Sequence, residues 1–180
     1  MNAKVVLSGV GLWTPPYKIT NQELVESYNA WAEAYNQKHQ AQIEAGELTA
    51  KPFSSAEFIE KASGIKSRYI YRKEGALDIE RMRPKIPERG EGELSNQAEI
   101  AIEAAKLAMA DANKTAAEID AVIVSCAYTQ RSYPAIAIEV QNELGIDGFG
   151  FDMLVACSAA TFGMHRAWEM IASGNAKCVL

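Results

Sequence analysis

The sequence lacks the features that mark secreted, membrane-spanning and nucleic-acid-binding proteins. Its 180 residues include only three cysteines, Cys126, Cys157 and Cys178, without the C-x-x-C spacing of zinc and redox sites, so we expect three free thiols. No apolar run approaches the roughly 20 residues that cross a bilayer, and the first residues do not resemble a signal peptide. The formal net charge of -5 provides no basic field for a polyanion. We therefore predict a cytoplasmic protein without membrane or nucleic-acid partners.

Histidine is equally scarce, and neither of the two histidines completes a catalytic site. His39 lies in a polar stretch, where we expect it to be solvated. His165 follows Cys157 by eight residues on the same predicted helix. It therefore lies roughly 12 Å along the helix axis, beyond hydrogen-bond reach of the thiol, and we expect it to pack against the protein. The sequence offers a nucleophile without a convincing base, and no metal site is predicted.

What the sequence does contain is an alternation of strand and helix patterns. This order predicts an α/β fold with helices on the faces of a sheet, and the chain length favours one domain. The predicted strands are residues 4–12, 68–71, 120–128, 149–155 and 176–180. The predicted helices begin at Thr20 or Asn21, Ser55, Ser95, Pro134 and Cys157. A helical but less periodic stretch is expected at 36–49, and a surface loop at 73–93. A complete α/β domain should not end in an uncovered strand such as 176–180, so we expect further chain after Leu180.

The junction at Cys157 is the best candidate for chemistry. A buried strand leads to this cysteine, and the small residues Ser158, Ala159 and Ala160 begin the next helix. The first amides of a helix have no intrahelical acceptor, and the helix dipole is positive at that end. Such a position favours the thiolate and can stabilise the oxyanion of an attacked thioester. A lone cysteine in an apolar segment is more often a small core residue, which is our interpretation of Cys126 and Cys178.

Several segments together resemble β-ketoacyl-acyl-carrier-protein synthase III. The likeness lies in GVGLWTPP at 9–16, NQEL at 21–24, EFI at 57–59, SGIKSRYI at 63–70, AVIVSC at 121–126, YPAIA at 133–137 with Gln141 and LGI at 144–146, and FDMLVACSA at 151–159. The resemblance covers nearly the whole chain outside about 30–52 and 75–92. We interpret these two stretches as insertions in a thiolase-like domain spanning residues 1–180.

The resemblance implies a layered helix-sheet-helix fold, of which this chain is the N-terminal half, in a homodimeric enzyme of fatty acid biosynthesis. In that family the cysteine accepts an acyl group from acyl-CoA and condenses it with malonyl-acyl carrier protein, with loss of carbon dioxide. Acyl-CoA is then a substrate, and no cofactor is implied. Cys157 matches the nucleophile, and its amide would be one oxyanion donor. The His and Asn that promote decarboxylation belong to the second half, which is absent from this sequence.

The resemblance also assigns substrate contacts to three aromatic residues. Tyr133 stands where the family usually has a Phe that crosses the dimer interface into the partner's acyl pocket, and Phe162 would line the same pocket. Phe58 occupies the place of a Trp that stacks on the CoA adenine. Ala62 replaces an Arg near the phosphates, so charge there would have to come from Lys61 or Lys66. Simple core or surface roles explain each of these side chains as well.

Other functions remain compatible with the sequence. Within the same fold, polyketide, 3-hydroxy-3-methylglutaryl-CoA and head-to-head condensing enzymes also carry a cysteine at such a junction. They differ in the base, which the resemblance places beyond Leu180. A catalytically silent thiolase-fold subunit is the alternative from a different class.

Overall fold

The computed structural model describes residues 4–180, which fall into two compact units. The small unit is Thr14–Glu88, and the large unit combines Arg89–Leu180 with the N-terminal segment up to Trp13. The prediction of one domain over 1–180, with insertions at 30–52 and 75–92, stays a prediction. The large unit contains Cys157 and therefore positions the candidate site.

The small unit is a two-stranded antiparallel sheet with three helices. Its elements in chain order are β1 (Tyr17–Thr20), α1 (Asn21–Lys38), α2 (Gln40–Glu44), α3 (Ala56–Ser63) and β2 (Ser67–Ile70). Thr20 begins α1 with a capping box, and hydrogen bonds from Lys73 and Thr20 lower the pKa of Glu23, its partner in that box, to about 2. Ser55 caps α3, and Gly64 ends it at a φ of 73°. The predicted beginnings and end of these helices are confirmed.

The large unit is an α/β layer. Its elements are α4 (Asn96–Asp111), β3 (Ala121–Cys126), α5 (Ile136–Leu144), β4 (Phe149–Leu154) and α6 (Ala159–Ala172). Strands β3 and β4 are parallel, with Cys126 opposite Leu154. On the other side of β3, Val179 bridges to Ala121 in the parallel sense. The predicted strands at 120–128 and 149–155 and the helix after Ser95 are confirmed to within a few residues. The predicted strand at 176–180 is present only as the single bridge at Val179.

Helices cover both faces of this sheet. Val122 of β3 is buried on one face with Ile102 of α4 and Val140 of α5. Ala121, the preceding residue, is buried on the other face with Met170 of α6. Side chains alternate between the faces along a strand. The sequence pattern of β3 therefore reads as one continuous apolar run because both of its faces are covered.

The prediction of a buried strand at 4–12 is wrong. Residues 4–13 pair with no strand among the described residues, and Val6, Leu7, Val10 and Leu12 are 64–82% exposed. The segment lies instead against α4, where the Val10 amide donates to Asp111 Oδ2 at 2.9 Å. A Cβ on Gly9 would lie 2.6 Å from the Ala108 carbonyl oxygen. Glycine permits this close approach to a helix backbone, and a strand-like pattern does not reveal it.

The prediction that Pro134 opens α5 is also wrong. The helix begins two residues later at Ile136, after a cis Tyr133–Pro134 peptide bond. Both carboxylate oxygens of Asp152, on β4, accept bonds at 2.8 Å from the amides of Ile136 and Ala137. This long-range cap fixes where the helix starts. Gly145 ends the helix at a φ of 68°, as predicted.

Candidate functional site

Cys157 lies at the carboxyl edge of the parallel sheet. It sits in a single turn of 3-10 helix, Ala156–Ser158, between β4 and α6, and its side chain is exposed. The α-helix proper begins at Ala159, two residues later than predicted. The strand-to-helix junction is nevertheless where the sequence placed it. In open α/β sheets, ligands bind outside the carboxyl ends of the strands, so the thiol occupies a favourable edge for a site.

The backbone before Cys157 is held in an uncommon conformation. Ala156 has a φ of 48°, which L-residues with a Cβ rarely adopt. Such residues cost on the order of 1–3 kcal/mol and cluster at functional sites. The turn is closed by a bond from the Ser158 amide to the Val155 carbonyl at 3.1 Å. A sharp turn of this kind between strand and helix displays a nucleophile at the sheet edge.

The beginning of α6 is fixed to β3 by a close contact. Ser125 Oγ donates to the carbonyl oxygen of Ala159 at 2.9 Å. One turn later, a Cβ on Gly163 would collide with the same hydroxyl oxygen. Position 163 therefore needs glycine for the helix to lie this close to the strand. The contact holds the helix start, and with it Cys157, at the end of β3.

The predicted pocket aromatics are all exposed. Tyr133, in the loop between β3 and α5, is 85% exposed, and Phe162, on the first turn of α6, is 55% exposed. Both belong to segments that leave the carboxyl edge of the sheet, as Cys157 does. Phe58 is 66% exposed on α3 of the small unit, where it lines an apolar cavity of about 780 Å³ with Leu24, Tyr28 and Phe53. The predicted acyl and CoA contacts stay predictions.

The sequence reasoning missed three charged residues near this edge. Asp152 caps α5 from the neighbouring strand. Glu139 is only 7% exposed, and Arg131 reaches it with an Nη1–Oε1 distance of 4.0 Å. Only Glu139 gave a signal in the sequence, because its carboxylate interrupts an otherwise apolar helix face. A charge that becomes buried there needs a partner.

The structure shows the surroundings of His165 and of the two remaining cysteines. His165 is exposed, stacks on Trp168 and lies 3.9 Å from a Glu169 oxygen, so the expectation that it packs against the protein is wrong. His165 lies on the outer side of α6 because Gly163, two residues earlier, is the position that packs against β3. Cys126 and Cys178 are half-buried, and burial raises the pKa of both thiols. The three cysteines are free, as predicted.

The environments of the three thiols predict an order of reactivity. At neutral pH, the raised pKa of Cys126 and Cys178 leaves less thiolate, and burial restricts their access to a reagent. We expect iodoacetamide to modify Cys157 at least about tenfold faster than either, because Cys157 is exposed while the other two thiols are partly buried. Peptide mass spectrometry of a time course measures all three rates in one sample. Equal rates would contradict the assignment of Cys157 as the reactive thiol.

Comparisons with known proteins agree with this fold. The solved structure of a priming β-ketosynthase of the R1128 polyketide pathway aligns with 94% of the chain at a TM-score of 0.66 and 23% identity. Xanthomonas campestris OleA, in a structure with lauric acid and lauroyl-CoA, aligns with 98% at a TM-score of 0.59 and 19% identity. These likenesses establish the fold class. The chain has the thiolase-like α/β fold that was predicted.

Sequence comparison then places the chain within that class. It is 52% identical over 156 residues to the β-ketodecanoyl-[acyl-carrier-protein] synthase of Pseudomonas aeruginosa, covering 87% of this chain and 45% of that protein. It is 33% identical to the β-ketoacyl-[acyl-carrier-protein] synthase III of Rhodobacter capsulatus, covering 77% of this chain and 37% of that protein. The chain is a homologue of the type III β-ketoacyl-acyl-carrier-protein synthases, as its motifs predicted, and it spans less than half of their length.

No protein-family model matches the chain. None of the helices described between residues 4 and 180 combines the length and hydrophobicity that a membrane span requires.

Proposed function

We propose that this chain supplies the acyl-accepting cysteine of a type III β-ketoacyl-acyl-carrier-protein synthase. The observation that carries the proposal is the position of Cys157: exposed, at the carboxyl edge of a parallel sheet, in a strained turn between strand and helix. Homology to synthases of this type supports the same chemistry. The rival thiolase-fold condensing enzymes share the cysteine, and no described residue specifically favours one of them.

The proposed reaction has two covalent steps. In the first, the Cys157 thiolate attacks the carbonyl carbon of an acyl-CoA, a new carbon–sulfur bond forms, and CoA leaves as a thiolate that takes up a proton. In the second, malonyl-acyl carrier protein loses carbon dioxide, and its C2 carbanion attacks the acyl-Cys157 carbonyl. The cysteine sulfur leaves, and the product is a 3-oxoacyl-acyl carrier protein. Amides at the helix start stabilise the tetrahedral oxyanion of each step.

We propose that the acyl group transferred to Cys157 has eight carbons. The relative from Pseudomonas aeruginosa is named for a β-ketodecanoyl product. Condensation with malonyl adds two carbons, so a ten-carbon product requires an eight-carbon primer. With 52% identity over the 156 aligned residues, the same primer is the simplest assignment.

Partner contacts follow from the exposed aromatics. Tyr133 leaves 85% of its surface in solvent, an unfavourable position for a large ring unless a partner covers it. We propose a homodimer in which this ring enters the partner's acyl pocket. Phe162, half-exposed on the first turn after Cys157, lines the pocket of its own chain. Phe58 and the apolar cavity of the small unit take part in binding acyl-CoA.

Acyl transfer to the full-length protein tests the proposal directly. Purified protein is incubated with acetyl-, butyryl-, octanoyl- or dodecanoyl-CoA, and the intact mass is followed. We expect one acyl group per chain, mapped to Cys157 by peptide sequencing, with octanoyl-CoA loading about tenfold faster than acetyl-CoA. Two or three extra methylene contacts of the chain in an apolar pocket are enough for such a ratio.

The other outcomes separate the alternatives. No acylation by any thioester would identify a catalytically silent subunit and overturn the proposal. Acylation followed by turnover with a second acyl-CoA, and not with malonyl-acyl carrier protein, would identify a head-to-head condensing enzyme. Equal loading of all four primers would refute the eight-carbon assignment while leaving the cysteine chemistry intact.

A further inference from the structure

A buried carboxylate lies beside the loop that carries Tyr133. Glu139, in the first turn of α5, is 7% exposed. Its Oε1 accepts the Ser95 amide at 2.8 Å and its Oε2 accepts the Ser95 hydroxyl at 2.7 Å. Ser95 is itself fully buried and caps α4. The carboxylate thus joins the beginnings of two helices that are distant in sequence.

Arg131 connects this carboxylate to the loop. Its Nη1 lies 4.0 Å from Glu139 Oε1, and the Arg131 side chain is 20% exposed. Its Nη2 donates to the Glu93 carbonyl at 2.9 Å, and its Nη1 donates to the Glu91 carbonyl at 3.4 Å. Arg131 belongs to the loop between β3 and α5, two residues before Tyr133. The guanidinium therefore ties this loop to the segment that leads into α4.

The pair is one of several contacts that hold this loop, beside the hydrogen bonds that link Gln130 and the Tyr128 carbonyl to Asn96 and Gln97. A cavity of about 330 Å³ lies beside it, lined by residues that include Arg131, Pro134, Ile138 and Glu139. Side chains next to such a void have fewer contacts to restrain them. A buried carboxylate is costly unless it is paired and hydrogen-bonded; Glu139 accepts both of its hydrogen bonds from Ser95, the cap of α4, and faces the Arg131 guanidinium of the loop at 4.0 Å.

We infer that Glu139 and Arg131 are positioning residues that fix the loop carrying Tyr133 and thereby determine which acyl-chain length the protein prefers. The inference deepens the proposed function and rests on it for the chain-length part. We assign neither residue a contact with the reacting atoms. Their effect reaches the substrate through the place of the Tyr133 ring.

The loop part of the inference is tested by hydrogen exchange on the full-length protein. Glu139→Gln keeps an acceptor for the Ser95 amide and removes the charge that faces Arg131, while Arg131→Met removes the charge and both carbonyl contacts. We expect amides of residues 127–135 to exchange about tenfold faster in either variant. Glu143→Gln is the matched control, since it removes an exposed carboxylate one turn further along the same helix.

The specificity part is tested with the same three variants. The KM for octanoyl-CoA should rise about fivefold in Glu139→Gln and Arg131→Met with kcat within twofold, so that the preference for octanoyl- over acetyl-CoA narrows. The double variant should be no worse than the poorer single one, because the two residues act through one loop. A merely structural pair would lower the melting temperature without moving KM or the chain-length ratio.

Each result leads to a decision. Unchanged exchange at 127–135 in both variants overturns the inference, whatever the activity. Faster exchange with an unaltered chain-length ratio overturns the specificity part. A wild-type protein that forms no acyl-enzyme refutes the proposed function instead, and the exchange experiment still decides whether the pair positions the loop.

Discussion

Replacing Cys157 with alanine is expected to abolish acyl-enzyme formation and to lower the condensation rate of the full-length protein at least a thousandfold. The alanine keeps the small volume that the turn requires and removes the thiol that would form the acyl intermediate. In other enzymes, removal of the catalytic nucleophile lowers kcat about 10⁶-fold, and the remaining rate comes from substrate binding and oxyanion stabilisation. The measurement is single-turnover transfer from octanoyl-CoA followed by intact mass.

The other two cysteines are the matched controls for this variant. Cys126→Ala and Cys178→Ala each remove one thiol group from a half-buried position, and we expect acyl transfer within about threefold of wild type. Circular dichroism should show the same fold in all three. Transfer that survives in Cys157→Ala and disappears in one of the controls would move the nucleophile to that residue and would refute our assignment.

The sequence predicted the elements whose signals are local. Ser55, Ser95 and Thr20 sit at helix starts because their side-chain oxygens bond amides three residues ahead. Gly64 and Gly145 end helices because they adopt positive φ cheaply. These signals depend on a few neighbouring residues and not on how the rest of the chain folds.

Elements whose placement depends on distant partners were not predictable in the same way. Residues 4–12 have the apolar pattern of a buried strand, yet the segment lies against α4. Gly9 and Gly11 allow the two backbones to approach closely. The start of α5 is fixed by Asp152, which lies 15 residues or more along the chain. Hydrophobic periodicity identifies an apolar segment without naming what covers it.

The features of the candidate site were likewise predictable only where their sequence signals are local. The junction at Cys157 was predicted because an apolar strand followed by small residues and a helix is a local pattern. The positive φ of Ala156 was not, because glycine and asparagine are the usual signals for that conformation. The link from Glu139 to Ser95 spans 44 residues, and only a charge on an apolar helix face hinted at it.

Asp152→Ala is expected to lower the free energy of unfolding by about 3 kcal/mol, which is the largest effect on stability that we predict. The variant leaves the amides of Ile136 and Ala137 without their acceptor. Both residues are at least 98% buried, and a buried unsatisfied donor costs about 1–3 kcal/mol. Urea denaturation of the full-length protein, with slope and midpoint both fitted, measures the loss.

Two variants make the interpretation of Asp152 specific. Asp152→Asn keeps one acceptor oxygen and turns an amide group toward the second N–H, so we expect about half to two thirds of the alanine effect. Asp147→Ala removes an exposed carboxylate just before the same strand, where a change within about 0.5 kcal/mol is expected. If Asp147→Ala cost as much as Asp152→Ala, lost charge in this region would explain both, and the cap would not be what stabilises the start of α5. Because α5 follows directly on the Tyr133 loop, Asp152→Ala should also weaken octanoyl-CoA binding, which Asp147→Ala should leave unchanged.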